Sequence, residues 1–128
     1  MKSPIHKPTA SELEILHVLW TRGPSTVREV HTSLSEKREI GYTTVLKLLQ
    51  IMTDKELVVR NEDQRAHVYE ARQPADRTKR QIASDMLQRV FEGSASEMMM
   101  HALAGRQTSQ KELEELRQLL DEFEQRQK

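Results

Sequence analysis

Residues 42–72, YTTVLKLLQIMTDKELVVRNEDQRAHVYEAR, constrain the fold of this chain more than any other stretch. Val45, Leu48, Leu49 and Met52 recur at i, i+3, i+4 and i+7, which lays one apolar stripe along a helix. Thr43, Lys47, Gln50 and Asp54 fall on the opposite side. Two short runs follow, 57–61 and 66–71, each rich in Val or Tyr and alternating with polar residues. Glu62, Asp63, Gln64 and Arg65 separate them. The pattern predicts a helix carried straight into a two-stranded hairpin with a charged tip. Its outward surface can be a face that meets DNA or an ordinary solvated face, and the pattern alone admits both.

The residues before this stretch predict two more helices. Thr9-x-x-Glu12 has the form of a capping box, in which the hydroxyl and the carboxylate satisfy free backbone N–H groups. Behind it Leu13, Leu16 and Trp20 line one stripe, with Ile15 and Leu19 beside it, and Gly23-Pro24 ends the helix. A second box, Thr26-x-x-Glu29, opens a short helix with Val27, Val30 and Leu34 inward. Helix, turn, helix, turn, helix and hairpin is the order of a winged helix-turn-helix, expected over residues 1–73. In that fold the third helix enters the major groove of DNA, N-terminal residues first. Thr43, Thr44 and Lys47 are therefore the main candidate contacts, with Gln50 further along the helix. Thr43 has an alternative role as the helix N-cap. Arg65 at the hairpin tip and Arg60 on the strand beside it are candidates for phosphate contacts, which position a protein without reading sequence. Arg28, opening the second helix, is a weaker one. The alternative for all three is a solvated surface charge.

Pro74 marks the expected boundary of a second, helical domain over 74–128. Residues 76–92 place Ala83, Met86, Leu87 and Val90 at helical spacing, with Phe91 adjoining, and Gly93 is a natural stop. Residues 95–104 form a short apolar piece that includes Met98, Met99 and Leu103 and ends at Gly105. Ser109-x-x-Glu112 caps a last helix with Leu113, Leu116, Leu120 and Phe123 at heptad-like spacing. Three helices this small bury too little surface to stand alone. Their stripes must pack on a second copy, as in a two-fold dimer, or back on the first domain. The fold class expected is mainly α: a winged helix-turn-helix with a small β-hairpin wing, then a helical dimerisation domain.

Composition narrows the function. Twenty Lys and Arg against twenty Asp and Glu give zero net charge, whereas nucleic-acid-binding domains usually carry a basic excess. A DNA face must then be a local arrangement of cations. The absence of cysteine removes disulfides, thiolate metal sites and a cysteine nucleophile. His6, His17, His31, His67 and His101 show no helical pairing, so no metal site is expected. The run Met98–Met100 could meet soft copper(I), but Met more often fills irregular apolar gaps. No catalytic triad, phosphate loop or convergent carboxylate pair is visible, so neither an enzyme nor a cofactor is expected. With no long apolar run and none behind Met1, membrane insertion is not expected and a cytoplasmic location fits.

The chain resembles the penicillinase-repressor family, the BlaI/MecI/CopY group of bacterial regulators. The resemblance is carried by Thr9-x-x-Glu12-Leu13-Glu14-Ile15-Leu16, Val18-Leu19-Trp20 and Tyr42-Thr43-Thr44-Val45. It continues through the Lys55/Leu57 turn, Arg65-x-x-x-Tyr69 and the closing helices to about residue 123. It implies a homodimeric transcriptional repressor with a winged-helix reading head, bound to an inverted-repeat operator on double-stranded DNA. By the same resemblance a membrane sensor protease is a candidate partner, but His101-Ala102 stand where protease-released members have the Asn-Phe bond that is cut, which departs from the family pattern. Departures from the family pattern are Ile51 where many members have Arg, and Glu56 and Gln64 at the usual Gly positions. The Cys-x-Cys pairs of copper-responsive members are missing. The competing reading, which the neutral charge favours, is a winged-helix adaptor that meets a protein without sequence-specific DNA binding.

Overall fold

A computed structural model describes residues 7–128. Met1 and the residues behind it, and His6, lie outside the described residues. The order of elements is α1 (Ala10–Arg22), β1 (Ser25–Thr26), α2 (Val27–Ser35), α3 (Tyr42–Asp54), β2 (Val58–Asn61), β3 (Val68–Ala71), α4 (Ala75–Arg89), α5 (Ala95–Leu103) and α6 (Gln110–Arg126). The chain is mainly helical, with one three-stranded antiparallel sheet in the order β1-β3-β2. Helix, strand, two helices and a two-stranded wing make the first part a winged helix-turn-helix.

Both expected capping boxes form. Thr9 and Glu12 exchange bonds of 3.2 and 2.8 Å at the start of α1. Thr26 and Glu29 do the same at 3.2 and 2.9 Å for α2. Gly23, at φ 91°, closes α1 in a conformation that costs a residue without a Cβ little. Ser109 caps α6 by accepting from the Glu112 N–H. At α3 the N-cap is Gly41, without a side-chain cap bond, so Thr43 lies inside the helix and is not its cap.

The hairpin strands are shorter than the runs that predict them, and a third strand joins them. β1 pairs with β3 at Ser25↔Tyr69 and Thr26↔Val68, while β2 pairs with β3 at Val58↔Ala71 through Asn61↔Val68. β1 carries no legible pattern because it has only two residues, and Thr26 serves as both ladder residue and helix cap. One cluster of buried residues joins these parts: Ile15, Leu16 and Leu19 of α1, Val27, Val30 and Leu34 of α2, Val45, Leu49 and Met52 of α3, Val58 and Tyr69. Leu13, Trp20 and Leu48 are half-buried around it. The indole Nε1–H of Trp20 donates to the Gln73 carbonyl at 3.0 Å, tying the chain after β3 to α1.

The chain divides into two units, one ending at Ala83 and the other running from Ser84 to Lys128. The division falls inside α4, whose Thr78 is buried in the first unit. Within the second unit no residue of α5 or α6 is buried. Met86, Val90, Met99, Met100, Leu119, Leu120 and Phe123 are exposed.

Candidate nucleic-acid interface

The apolar stripe of α3 decides what its other face shows. With Val45, Leu49 and Met52 fully buried, Thr43, Thr44, Lys47 and Gln50 are turned to solvent. The first three sit in the opening turns, where a recognition helix reaches base edges. Thr supplies a hydroxyl and a methyl, and Lys47 can reach a guanine edge or a phosphate. Ile51 and Tyr42 share this surface, 41% and 45% exposed. An apolar Ile51 offers van der Waals contact and no hydrogen bond. The turn into α3 is held from α2. His31 Nε2–H donates to the Ile40 carbonyl at 2.8 Å, and its ring meets Tyr42 edge-on at 5.8 Å.

The wing stands beside the opening of α2 because β1 pairs with β3. That pairing brings Arg28 and Arg65, far apart in sequence, to one open cleft of about 450 Å³ that also includes Tyr42, Leu46 and His67. Arg28 is therefore a stronger candidate than its sequence context suggests. Only the three-strand register reveals it. Among the described residues no ion pair involves Arg28, Lys47 or Arg65, whereas Arg22, Arg38, Lys55, Arg60, Arg89, Arg106 and Arg117 all have carboxylate partners. A neutral chain thus leaves uncompensated cations around the exposed end of α3.

Arg60 differs from Arg65. It lies opposite Tyr69 in the ladder, and its guanidinium reaches Glu62 at 2.9 Å. The Tyr69 hydroxyl first, and then the Glu62 carboxylate, hold its pKa above the ordinary arginine value. At the tip Asn61 Oδ1 accepts from the Asp63 N–H at 2.9 Å and shapes the turn.

In the second unit, Leu87, Phe91, Met98, Leu103, Leu113 and Leu116 are half-buried, and Met86, Val90, Met99, Leu120 and Phe123 exposed. His101 and Ala102 occupy the last turn of α5, both exposed, with the His101 ring 5.8 Å from Phe91. No group of His, Cys, Asp or Glu among the described residues could hold a metal ion. No described helix is long and apolar enough to cross a membrane.

Comparison with known proteins matches the chain to a family. The family model described as penicillinase repressor covers residues 8–122. The transcriptional regulator BlaI of Mycobacterium tuberculosis is 46% identical over 59 residues, 45% of this chain and 43% of that protein. The match therefore spans less than half the length of that relative. The methicillin resistance regulatory protein MecI of Mammaliicoccus sciuri is 18% identical over 121 residues, 94% of this chain and 98% of that protein. A solved structure of Lactococcus lactis ZitR, carrying a cysteine-to-serine substitution, covers all of this chain and 80% of its own at 18% identity, with a TM-score of 0.43. The family match runs from the first capping box through the wing and into α6, and on that ground the chain belongs to the penicillinase repressor family of transcriptional regulators.

Proposed function

We propose that the protein is a homodimeric transcriptional repressor that sets one α3 into each of two successive major grooves of an inverted-repeat operator. The observation that carries this reading is the solvent-facing start of α3. Thr43, Thr44 and Lys47 are exposed there, beside a cleft bordered by two unpaired arginines. Thr43, Thr44 and Lys47 read base edges, with Gln50 in support. Arg65 and Arg28 seat the phosphate backbone on either side.

Dimerisation rests on the second unit, Ser84–Lys128, which is the greater part of the expected 74–128 domain. Its helices bury no side chain of α5 or α6, which leaves apolar stripes for a second copy to cover. Release from the operator by proteolysis at His101-Ala102 gains no support, since neither residue is the Asn or the Phe found at the bond cut in protease-released members.

Fluorescence titration on the DNA upstream of the protein's own gene, at several salt concentrations, tests the reading. Lys47→Ala should weaken operator binding and alter its sequence preference. Arg65→Ala should weaken all sequences alike and reduce the salt slope by about one. Parent protein that binds this DNA no tighter than a scrambled duplex would leave the adaptor reading in its place.

A further inference from the structure

Between Arg60 and His67 stand two guanidinium groups, Arg60 and Arg65, and two carboxylates, Glu62 and Asp63. The carboxylates are not equivalent. Glu62 Oε2 accepts from Arg60 Nε at 3.1 Å and lies 2.9 Å from Nη2, while its Oε1 is 3.9 Å from His67 Nε2. Asp63 has no cation within pairing distance among the described residues, and its backbone N–H is engaged by Asn61. The Arg60 and Glu62 side chains are 33% and 56% exposed, so the pair sits at the surface and can open. Surface pairs of this kind hold by about 0–1 kcal/mol, weak enough for a phosphate to compete.

We infer that Glu62 sets the wing's affinity for the DNA backbone by holding Arg60 back from phosphate. This rests on the DNA-binding reading above. In the free protein Glu62 occupies the Nε–Nη2 edge of a guanidinium that the Tyr69 hydroxyl also holds, and that edge is the one a phosphate would use. On DNA, Arg60 must leave Glu62 and strand a carboxylate beside the backbone, or stay paired and contribute no counterion release. Either course lowers affinity, and in the second Arg65 is the one wing cation left for phosphate.

The test is a salt titration of the full chain on its upstream DNA. Glu62→Gln should tighten binding about three- to tenfold and steepen the slope of log affinity against log salt by about one, the signature of one more phosphate neutralised. Asp63→Asn removes the same charge at the same tip and should give less than half that gain with no change of slope. In an Arg60→Ala background the gain from Glu62→Gln should vanish. An unchanged affinity and slope in Glu62→Gln overturns the inference. So does an equal gain in Asp63→Asn, or a gain that persists without Arg60, since both assign the effect to bulk charge. A parent that binds no DNA in the same titration defeats the underlying reading instead.

Discussion

At the scale of single residues, the pair Glu12 and Lys55 shows how a capping residue can also brace the fold. The Glu12 side chain is 3% exposed, completes the α1 capping box, and receives Lys55 Nζ at 2.7 Å. Lys55 is the C-cap of α3, so one ion pair joins the start of α1 to the end of α3. Removing one partner of a buried pair strands a charge, at about 3–5 kcal/mol. The lysine is partly hydrated, so Lys55→Met should fall at the lower end of that range in urea denaturation. Glu12→Gln keeps a cap acceptor without the charge. Combined with Lys55→Met it should recover most of the loss. A double variant as unstable as the sum of the two singles would show that the pair is not coupled. The capping half of Glu12's role is legible in Thr9-x-x-Glu12. The bracing half is not, because 43 residues separate the partners.

Among elements, the end of α3 is the most informative. The Leu57 N–H bonds the Met52 carbonyl at 2.9 Å and the Glu56 N–H bonds that of Thr53 at 3.1 Å, the two bonds of a Schellman motif. Its left-handed position, φ 62°, is taken by Glu56. The family pattern places Gly in this turn, and the backbone keeps the shape that Gly favours. A left-handed L residue costs roughly 1–2 kcal/mol, and a glycine gives back roughly 0.4–1 through the freer unfolded chain. Glu56→Gly should therefore raise stability by up to about 1.5 kcal/mol, read as a higher melting temperature. A lower one would mean that the Glu56 side chain supports the turn. The start of α2 adds a pH dependence. The Thr26 N–H, aided by the Thr26 hydroxyl and Arg22, holds the Glu29 carboxyl below its ordinary pKa against an opposing desolvation. A depressed folded pKa contributes stability above the unfolded value, lost as pH falls through the folded one. Glu29→Gln should thus flatten the acid limb of a stability–pH profile. These helices are legible because their caps and stripes are local. β1 and the place of Arg28 are not, since both depend on strand pairing across more than forty residues. Likewise, exposure of Thr43, Thr44 and Lys47 follows from periodicity alone, whereas the Arg60–Glu62 pair inside the wing does not.

For the molecule as a whole, zero net charge and the bare stripes of the second unit bear on one another. A single reading head with a few unpaired cations releases few counterions, so one copy alone would hold DNA weakly. Linking two heads makes the second contact intramolecular, and such avidity raises affinity by about 10²–10⁴ without any new contact. In the proposed dimer the stripe of α6 would supply the means, with Leu120 67% and Phe123 49% exposed along a helix that has no buried residue. Leu120→Glu should therefore convert the protein from dimer to monomer in sedimentation equilibrium. It should lower affinity for the full inverted repeat about a hundredfold, and leave affinity for an isolated half-site unchanged. Gln118→Glu, which adds the same charge on the same exposed helix, should do neither. A parent protein that sediments as a monomer would place the origin of affinity in the reading head alone. A Leu120→Glu monomer that still holds the full repeat as tightly as the parent would do the same.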